Sequence, residues 1–310
     1  MDKPHSLFKI WLTAVRPFAY TASVTSVLLG TAIAFYTGAS IHWMRFILTL
    51  IGVVCFHTSA NLLNDRFDFE RGLDQQVLPM SGAVVRGWLT PIQVTRAAAG
   101  LLIVGTLIGL VLFHQTGWPV LALGVLGTLL VLGYTRSGIC LKYAALGDLT
   151  IFLAFGALPV FGTFWVQTMT FHVLPIIWSL PLVAYTVAIL HANNWHDLES
   201  DPQKGCRTVA SLFGDRGSAV YYRLLILGPL VWILVAVLLG LIVRQINLGP
   251  YSLALCLLIL PKAIHLSRIN RHRAPEKFMM LDGLTARIQM AFGLLLSVAF
   301  AIGSFLPGLV

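Results

Sequence analysis

The sequence predicts an all-α membrane protein with about nine transmembrane helices in a single bundle, around a central cavity that opens to the cytosolic face. Two observations support this class. Of the 310 residues, 57% are hydrophobic and only 11% are charged, whereas soluble globular chains carry about 25% charged residues. Apolar runs of about 20 residues also recur along the chain, which is the length that crosses the hydrocarbon core as a helix. Lipid cannot satisfy backbone hydrogen bonds, so helices are expected for runs this apolar.

The apolar runs divide the chain into nine predicted spans. Residues 1–15, which mix apolar side chains with two lysines, are predicted to form an interfacial helix ahead of them. Residues 1–310 are predicted to form a single integral-membrane domain. The spans are expected at about Pro17–Tyr36, Arg45–Leu63, Gln93–His114, Pro119–Tyr134, Leu146–Trp165, Val173–His191, Ala219–Val243, Pro250–Leu266 and Thr285–Leu306.

The basic residues predict the orientation of the bundle. Of the 21 Lys and Arg residues, all but Arg45 and Arg244 lie at the N-terminus or in and beside the loops after spans 2, 4, 6 and 8. The positive-inside rule therefore predicts that the N-terminus and these loops are cytosolic and that the C-terminus is outside. The net charge of +9 then describes orientation, and no nucleic-acid partner is expected.

Span 2 ends in a stretch of unusual charge. Residues 60–74 hold four of the twelve acidic residues of the chain, Asp65, Asp68, Glu70 and Asp74. Carboxylates close to the hydrocarbon region cost several kcal/mol unless they are solvated, paired or bound to metal. On helical spacing, Asn64 and Asp68 share one face. The stretch is therefore a candidate functional site.

A second stretch, residues 192–208 after span 6, resembles the first. Each has Ala-Asn at the end of a span and an Asp four residues after that Asn, which pairs Asn61 and Asp65 with Asn193 and Asp197. This match suggests a degenerate repeat. If the second stretch is helical, Asp197 and Asp201 share a face, with Asn194 one turn earlier.

The ligand types in these stretches favour Mg²⁺, which prefers carboxylates together with phosphate oxygens. The four cysteines show no paired spacing, so neither a disulfide framework nor a zinc site is indicated. Basic residues that could contact phosphates lie in the same loops. A substrate with a diphosphate head and a long hydrocarbon tail fits this combination of oxygen ligands, cations and apolar bundle. The basic candidates are Arg66, Lys142, Lys204 and Arg207.

The motifs Asn64-Asp65-x-x-Asp68 and Asp197-x-x-x-Asp201 with Lys204 resemble the two aspartate-rich motifs of the UbiA superfamily of intramembrane aromatic prenyltransferases. The resemblance covers nearly the whole chain. Gly72 replaces the third acid that many members carry, and Asp74 follows it. This residue pattern, together with Arg16-Pro17 and Gly147-Asp148, resembles the sequences of the branch that prenylates 1,4-dihydroxy-2-naphthoate in menaquinone synthesis.

The resemblance implies a Mg²⁺-dependent transfer of a polyprenyl group from a polyprenyl diphosphate to an aromatic acceptor, in a bacterial cytoplasmic membrane and without an obligatory protein partner. Lys142, Lys204 and Arg207, with Arg66 beside them, are expected to contact the diphosphate. Catalytic roles are expected for Asp65, Asp74 and Lys142. The expected metal ligands are Asn64, Asp68, Asn194, Asp197 and Asp201.

Several alternatives remain open from the sequence. Other acceptors of the same family are 4-hydroxybenzoate, chlorophyllide or haem precursors, and tocopherol-type rings. A different class is an ion-coupled transporter, although the acids lie at span ends instead of at the midplane. The stretch Asp282-Gly-Leu-Thr-Ala-Arg287 matches the start of the CDP-alcohol phosphotransferase signature, but the chain has no Asp after Arg287 to complete it.

Overall fold

The protein is built from helices throughout the part of the chain that the structure describes. The computed structural model describes residues 6–72, 82–135, 140–199, 205–243 and 248–305, and within these ranges it contains no β-strand, only an isolated bridge between Ala144 and Arg207. The α-helices are α1 (Leu7–Val15), α2 (Tyr20–Tyr36), α3 (Trp43–Glu70), α4 (Pro91–Thr116), α5 (Trp118–Thr135), α6 (Gly147–Phe152), α7 (Leu158–Thr168), α8 (Leu174–His196), α9 (Val209–Ile242), α10 (Leu260–Ser267), α11 (Pro275–Phe278) and α12 (Leu281–Ser304).

Eight helical segments within the described ranges are long and apolar enough to cross a membrane, which confirms the predicted all-α membrane fold. The ninth predicted span is the shorter segment Tyr251–Ser267. Its first nine residues form a 3₁₀ helix and its last eight form α10. At about 2.0 Å and about 1.5 Å per residue, the segment is about 30 Å long, close to the thickness of the hydrocarbon core.

The N-terminal segment consists of α1 and a break before α2. Arg16 has a left-handed conformation with φ 53°, and Pro17 follows it at the start of a 3₁₀ turn. Helix α1 buries Ile10 and Ala14 and exposes Leu7 and Phe8. An amphipathic helix of this kind is suited to the membrane surface, and the interfacial role of this segment stays a prediction.

The core is densest around α8 and thins toward α4 and α5. Of the most apolar stretch of α8, 67% is buried, compared with 17% for α4 and for α5. The large side chains at the centre come from α7, α8, α9 and α12 and include Phe164, Trp178, Tyr185, Trp195, Tyr222, Phe292 and Phe300. Helices α4 and α5 instead direct apolar side chains outward, as expected for lipid-facing helices.

A π-helical turn, Leu153–Ala157, joins α6 to α7. Pro159 lies at the start of α7 and has no N–H to donate to the carbonyl four residues earlier. That carbonyl, on Phe155, instead accepts a hydrogen bond of 2.7 Å from Ser26 Oγ. Single π-turns of this kind occur often at functional sites, and this one turns Phe155 toward the centre of the bundle.

Helix α8 ends sharply at His196. The Arg271 guanidinium donates hydrogen bonds to the carbonyl oxygens of Trp195 (3.4 Å) and His196 (3.2 Å) and also pairs with Glu199. Phe278 packs against the Trp195 ring with 4.8 Å between centroids. The segment before α12 is thereby fixed to the end of α8, so both helices meet at this side of the bundle.

Candidate active site

A central cavity of about 220 Å³ lies between α2, α3, α5, α8 and α12. Two helices contribute side chains to it with the same spacing. On α3 these are His57, Ala60, Asn61 and Asn64, and on α8 they are Thr186, Ile189, Leu190 and Asn193. Positions i, i+3, i+4 and i+7 form one helix face. The cavity therefore reaches the end of both helices, where the two acidic stretches begin.

Asp68 is the centre of a charged cluster at the end of α3 and is 3% exposed. Its Oδ2 accepts hydrogen bonds of 2.8 Å from Asn64 Nδ2 and 2.8 Å from the Lys142 ammonium. Its Oδ1 accepts one of 3.0 Å from the Tyr143 hydroxyl, and Lys142 also donates to Asn64 Oδ1 at 3.1 Å. The side chains of Asn64 and Asp68 thus converge on a cation, as the shared helix face predicts.

Lys142 and Tyr143 are held by a pairing between two distant segments. The Arg207 N–H donates to the Tyr143 carbonyl at 3.1 Å, and the Ala145 N–H donates to the Arg207 carbonyl at 2.8 Å. A residue of the second acidic stretch, Arg207, therefore fixes the loop that contacts the first. This pairing links the two stretches structurally.

Arg71 adds a permanent positive charge beside this cluster. Burial lowers the pKa of the Arg71 guanidinium, but its hydrogen bond to Cys140 and the nearby Asp68 carboxylate outweigh burial and raise that pKa above its usual value. The guanidinium lies 5.8 Å from the centroid of the Tyr143 ring. The end of α3 therefore combines oxygen ligands with fixed cations, which suits a phosphorylated ligand.

A second, apolar cavity of about 160 Å³ adjoins the first between α3, α4, α5 and α7. The two cavities share four wall residues, His57, Val131, Ala154 and Phe155. Glycines on four helices line the apolar cavity, and a Cβ added at Gly109, Gly124 or Gly127 would meet no atom within 4 Å. The polar cavity therefore continues into an apolar space that has room for a hydrocarbon chain.

The oxygen ligands at the end of α3 fit Mg²⁺. Within the described residues there is no group of three or more His, Cys, Asp or Glu side chains arranged to hold a metal ion. Mg²⁺ usually needs only one or two carboxylates, because substrate phosphates and water complete its octahedron. Asn64 and Asp68 already direct oxygen atoms at the same cation, Lys142. Their donor set thus matches a Mg²⁺–diphosphate complex better than a site built from protein ligands alone.

The family profile described as the UbiA prenyltransferase family matches residues 23–288. The chain belongs to this family. It is therefore a prenyltransferase and an integral, multi-pass membrane protein, as the resemblance of its two motifs predicted. Family membership also decides against the ion-coupled transporter as the class of function.

A relative of the UbiA family matches the chain in sequence, and two solved UbiA homologs match it in fold. The chain is 34% identical over 287 residues to UbiA prenyltransferase domain-containing protein 1 of Xenopus tropicalis, covering 92% of this chain and 79% of that protein. An apo UbiA homolog from Aeropyrum pernix K1 has the same fold, with a TM-score of 0.65 at 13% identity over 90% of this chain and 97% of that one. A UbiA homolog from Archaeoglobus fulgidus, solved with DMAPP and Mg²⁺, gives 0.59 at 13% identity over 93% and 99%.

Three of the residues predicted for the site lie together. Asn64, Asp68 and Lys142 form one hydrogen-bonded cluster, and Asn64 and Lys142 line the central cavity. Lys142 comes from a loop 74 residues beyond Asp68. Their metal and diphosphate roles stay predictions, now with a common location.

Asp65, predicted to be catalytic, points away from this cluster. It is fully buried, and its Oδ1 lies 3.3 Å from Arg16 Nη2 while its Oδ2 accepts a 3.1 Å hydrogen bond from the Val84 N–H. These contacts join the break after α1 and the loop before α4 to α3. Asp65 is therefore placed to hold the fold around the cavity and to orient Arg16, which lines it.

Arg66 and Arg207, both predicted to contact the diphosphate, have different positions. Arg66 lies on another face of α3, where it binds Glu70 Oε1 and Thr95 Oγ1, each at 2.9 Å. The Arg207 backbone pairs with the Lys142 loop while the residue itself is exposed. The diphosphate roles of both residues stay predictions.

In the second acidic stretch, the residues that face the cavity are not the ones that the sequence predicts. Asp197 is the exposed cap residue after α8, so the expected helical pairing with Asp201 does not extend from α8, which ends at His196. Asn194 is buried, and the α8 asparagine that lines the cavity is Asn193. On the two cavity-facing surfaces, Asn193 and Asp197 correspond to Asn64 and Asp68, one turn later than the sequence match with Asn61 and Asp65.

Three predicted site residues, Asp74, Asp201 and Lys204, lie outside the residues that the structure describes.

Sequence reasoning missed several residues at the site. Tyr143, which contacts Asp68, and Asp282, which lines the cavity from α12, carry no spacing that links them to either motif. Asn193 could have been found, because Asn193-x-x-x-Asp197 repeats the spacing of Asn64-x-x-x-Asp68. The sequence marks Arg16 only through the family resemblance, and the structure places it on the cavity wall.

Proposed function

We propose that this protein transfers a polyprenyl group from a polyprenyl diphosphate to an aromatic acceptor, and that the acceptor is 1,4-dihydroxy-2-naphthoate in menaquinone synthesis. The observation that carries the proposal is the pair of adjoining cavities. One is polar and holds the Asn64–Lys142 side of the charged cluster, the other is apolar and lined by glycines, and they share the wall at Phe155. A molecule with a charged head and an apolar tail matches this arrangement.

The diphosphate head is proposed to bind in the polar cavity. Asn64 and Asp68 on α3, with Asn193 and Asp197 on α8, would hold Mg²⁺, and Asn194, Asp201 and Asp74 remain candidate contributors. Lys142 and Arg207, with Lys204, bind the phosphate oxygens. When bound, Mg²⁺ supplies Lewis-acid stabilisation of the departing diphosphate. The Archaeoglobus homolog solved with DMAPP and Mg²⁺ supports this assignment.

The reaction breaks two bonds and forms one. The bond between C1 of the prenyl chain and the bridging oxygen breaks, and the electron pair leaves with the diphosphate. A ring carbon of the acceptor then forms a carbon–carbon bond with the allylic cation. The same ring carbon next loses its former substituent, as CO2 where it carries the carboxylate of dihydroxynaphthoate or as a proton where it carries hydrogen, and this loss restores the aromatic ring. Lys142 and Arg71 lower the cost of charge on the leaving group. Phe155, where the two cavities meet, is placed to stabilise the cation through its ring face.

An acidic aromatic acceptor is supported by Arg16. Its guanidinium lines the cavity, one nitrogen is held by Asp65, and its buried Nε has no hydrogen-bond partner among the described atoms. An arginine positioned in this way can bind a carboxylate. The choice of dihydroxynaphthoate over other aromatic acids rests on the residue pattern Gly72-x-Asp74 after the first motif.

The positive-inside distribution of Lys and Arg supports a site that faces the cytosol. The identity of the membrane, predicted to be a bacterial cytoplasmic one, stays a prediction, since curated relatives such as the Xenopus protein come from eukaryotes.

A screen of acceptors tests the proposal. The purified protein in liposomes is given one long-chain prenyl diphosphate, Mg²⁺ and, separately, dihydroxynaphthoate, 4-hydroxybenzoate and homogentisate, with products identified by mass. We expect prenylated naphthoquinol-type product and at least tenfold less of the others. Product only with 4-hydroxybenzoate would contradict the acceptor assignment, and no product with any aromatic ring would contradict the function.

Chain length tests the tail site separately. Gly127→Leu fills the apolar cavity, because a side chain there extends into open space. We expect the variant to keep activity with a C10 diphosphate and to lose most activity with a C40 diphosphate. Gly283→Leu, at a position in α12 that also has open space but does not line this cavity, is the control. Equal loss with both chain lengths would contradict the tail assignment.

A further inference from the structure

Asp282 places a carboxylate on the wall of the central cavity from a helix that belongs to neither acidic stretch. It lies in the first turn of α12, and Ala286, one turn later, lines the same cavity. The contacts of Arg271 and Phe278 with the end of α8 fix the start of α12 at the side of the bundle where Asn193 lies. Asp282 therefore faces the polar end of the cavity.

The charges on the cavity wall differ in sign. Among the described residues that line the cavity, Arg16 and Lys142 are cationic and Asp282 is the single carboxylate. A diphosphate repels a carboxylate, so Asp282 is unsuited to binding that head directly. It is suited to a hydrogen-bond donor.

The Asp282 carboxylate has capacity for such a donor. The side chain is partly buried, and no described residue donates a hydrogen bond to it or forms an ion pair with it. Its neighbour one turn on, Thr285, is by contrast fully engaged with Tyr222 (2.7 Å) and the Leu281 carbonyl (2.6 Å). A partly buried carboxylate next to a cavity gains most from a ligand that donates a hydrogen bond to it.

We infer that Asp282 binds the aromatic acceptor by accepting a hydrogen bond from a ring hydroxyl. This inference rests on the proposed function, because it requires a hydroxylated aromatic acceptor. With Arg16 available for a carboxylate, the cavity wall then offers one partner for each polar group of an aromatic hydroxy acid. Asp282 is thus an acceptor-specificity residue, separate from the groups that hold the diphosphate.

A purely structural role predicts different behaviour. An acid in the first helical turn stabilises the helix through its dipole, and its loss would lower stability without changing the affinity for any one substrate. Glu276, an exposed acid in the first turn of α11, has that position without lining the cavity. Glu276→Ala is therefore the matched control.

The test is a steady-state comparison of wild type, Asp282→Ala, Asp282→Glu and Glu276→Ala in liposomes. We expect Asp282→Ala to raise KM for dihydroxynaphthoate about tenfold or more, with KM for prenyl diphosphate and the Mg²⁺ requirement unchanged. Asp282→Glu should restore part of the affinity. A methyl ether of the acceptor, which lacks the donor, should inhibit wild type and Asp282→Ala equally.

Three results would overturn the inference. These are an unchanged KM for the acceptor, an increased Mg²⁺ requirement in Asp282→Ala, or a loss of thermal stability with normal KM values. If Asp282→Ala does not fold, Asp282→Asn is measured in the same way. Failure of the proposed function looks different, because wild type itself would then prenylate no hydroxylated aromatic ring, and the inference would fall with it.

Discussion

Helices α3 and α8 present similar residues to the cavity but stop at different positions relative to them. Both present four side chains to the cavity with one spacing, and on both an asparagine at the rim precedes an aspartate by four residues. Helix α3 continues to Glu70, so Asp68 stays on the cavity face and is clamped by Lys142 and Tyr143. Helix α8 stops at His196, which leaves Asp197 exposed at the cap.

The difference shows how an internal repeat can become two unequal halves of a site. The α3 half is preformed, since every oxygen of Asp68 has a hydrogen-bond partner before any substrate binds. The α8 half ends in the exposed carboxylate of Asp197, directly after the last residue of the helix. We therefore expect substitutions at the two ends to be equally harmful to catalysis but unequal in their effect on stability.

The largest expected effect is on catalysis at the paired aspartates. Asp68→Asn and Asp197→Asn should each lower the initial rate of prenyl transfer about 100-fold or more, because each removes a carboxylate proposed to hold the Mg²⁺ that stabilises the departing diphosphate. Glu70→Gln, an exposed acid on the same helix as Asp68, should be close to wild type. A near-normal rate of prenyl transfer in Asp197→Asn would mean that α8 contributes no metal ligand. The two helix ends would then not be equivalent in catalysis.

The second prediction concerns stability at the position where α3 departs from the cavity. Asp65→Ala should destabilise the folded protein by about 3 kcal/mol, because it leaves Arg16 and the Val84 N–H without their buried partner. Thermal unfolding in detergent measures the effect. A normal Tm together with lost turnover would instead support the catalytic role predicted from the sequence.

The third prediction tests which asparagine of α8, Asn193 or Asn194, corresponds to Asn64 of α3. Asn193→Ala should raise the Mg²⁺ concentration needed for half-maximal activity about tenfold, the size found when a group supporting a metal site is removed. Asn194→Ala should leave that concentration unchanged, since Asn194 is buried beside the cavity instead of lining it. The reverse result would restore the predicted assignment of Asn194 as a ligand.

The smallest effect is expected at Arg66. Its guanidinium binds Glu70 and Thr95 at a position where the Arg66 side chain is partly exposed and Glu70 is exposed, and surface pairs of this kind contribute about 0–1 kcal/mol. Arg66→Gln should therefore change KM for prenyl diphosphate less than twofold, whereas Arg207→Gln should raise it clearly. A large increase in KM for Arg66→Gln would show that the diphosphate reaches a different face of α3.

Much of the fold and part of the site follow from local sequence. Hydropathy gives the spans, because each helix must satisfy its own backbone in lipid, and helical spacing brings Asn64 and Asp68 together. The position of Asp65 does not follow, since it depends on Val84, which comes from the loop before α4. Equally, the π-turn at Phe155 depends on Ser26 of α2, and the stop of α8 depends on Arg271. These features are set by tertiary contacts that no local pattern records.

The central claim is that the two helix ends jointly bind a divalent cation together with a prenyl diphosphate. Electron paramagnetic resonance of Mn²⁺, used in place of Mg²⁺, measures this without turnover. We expect wild type and Asp65→Asn to bind Mn²⁺ tightly only when a non-hydrolysable prenyl diphosphate analogue is present. Asp68→Asn and Asp197→Asn should each lose that binding. Undiminished, analogue-dependent Mn²⁺ binding in both of these variants would contradict the account.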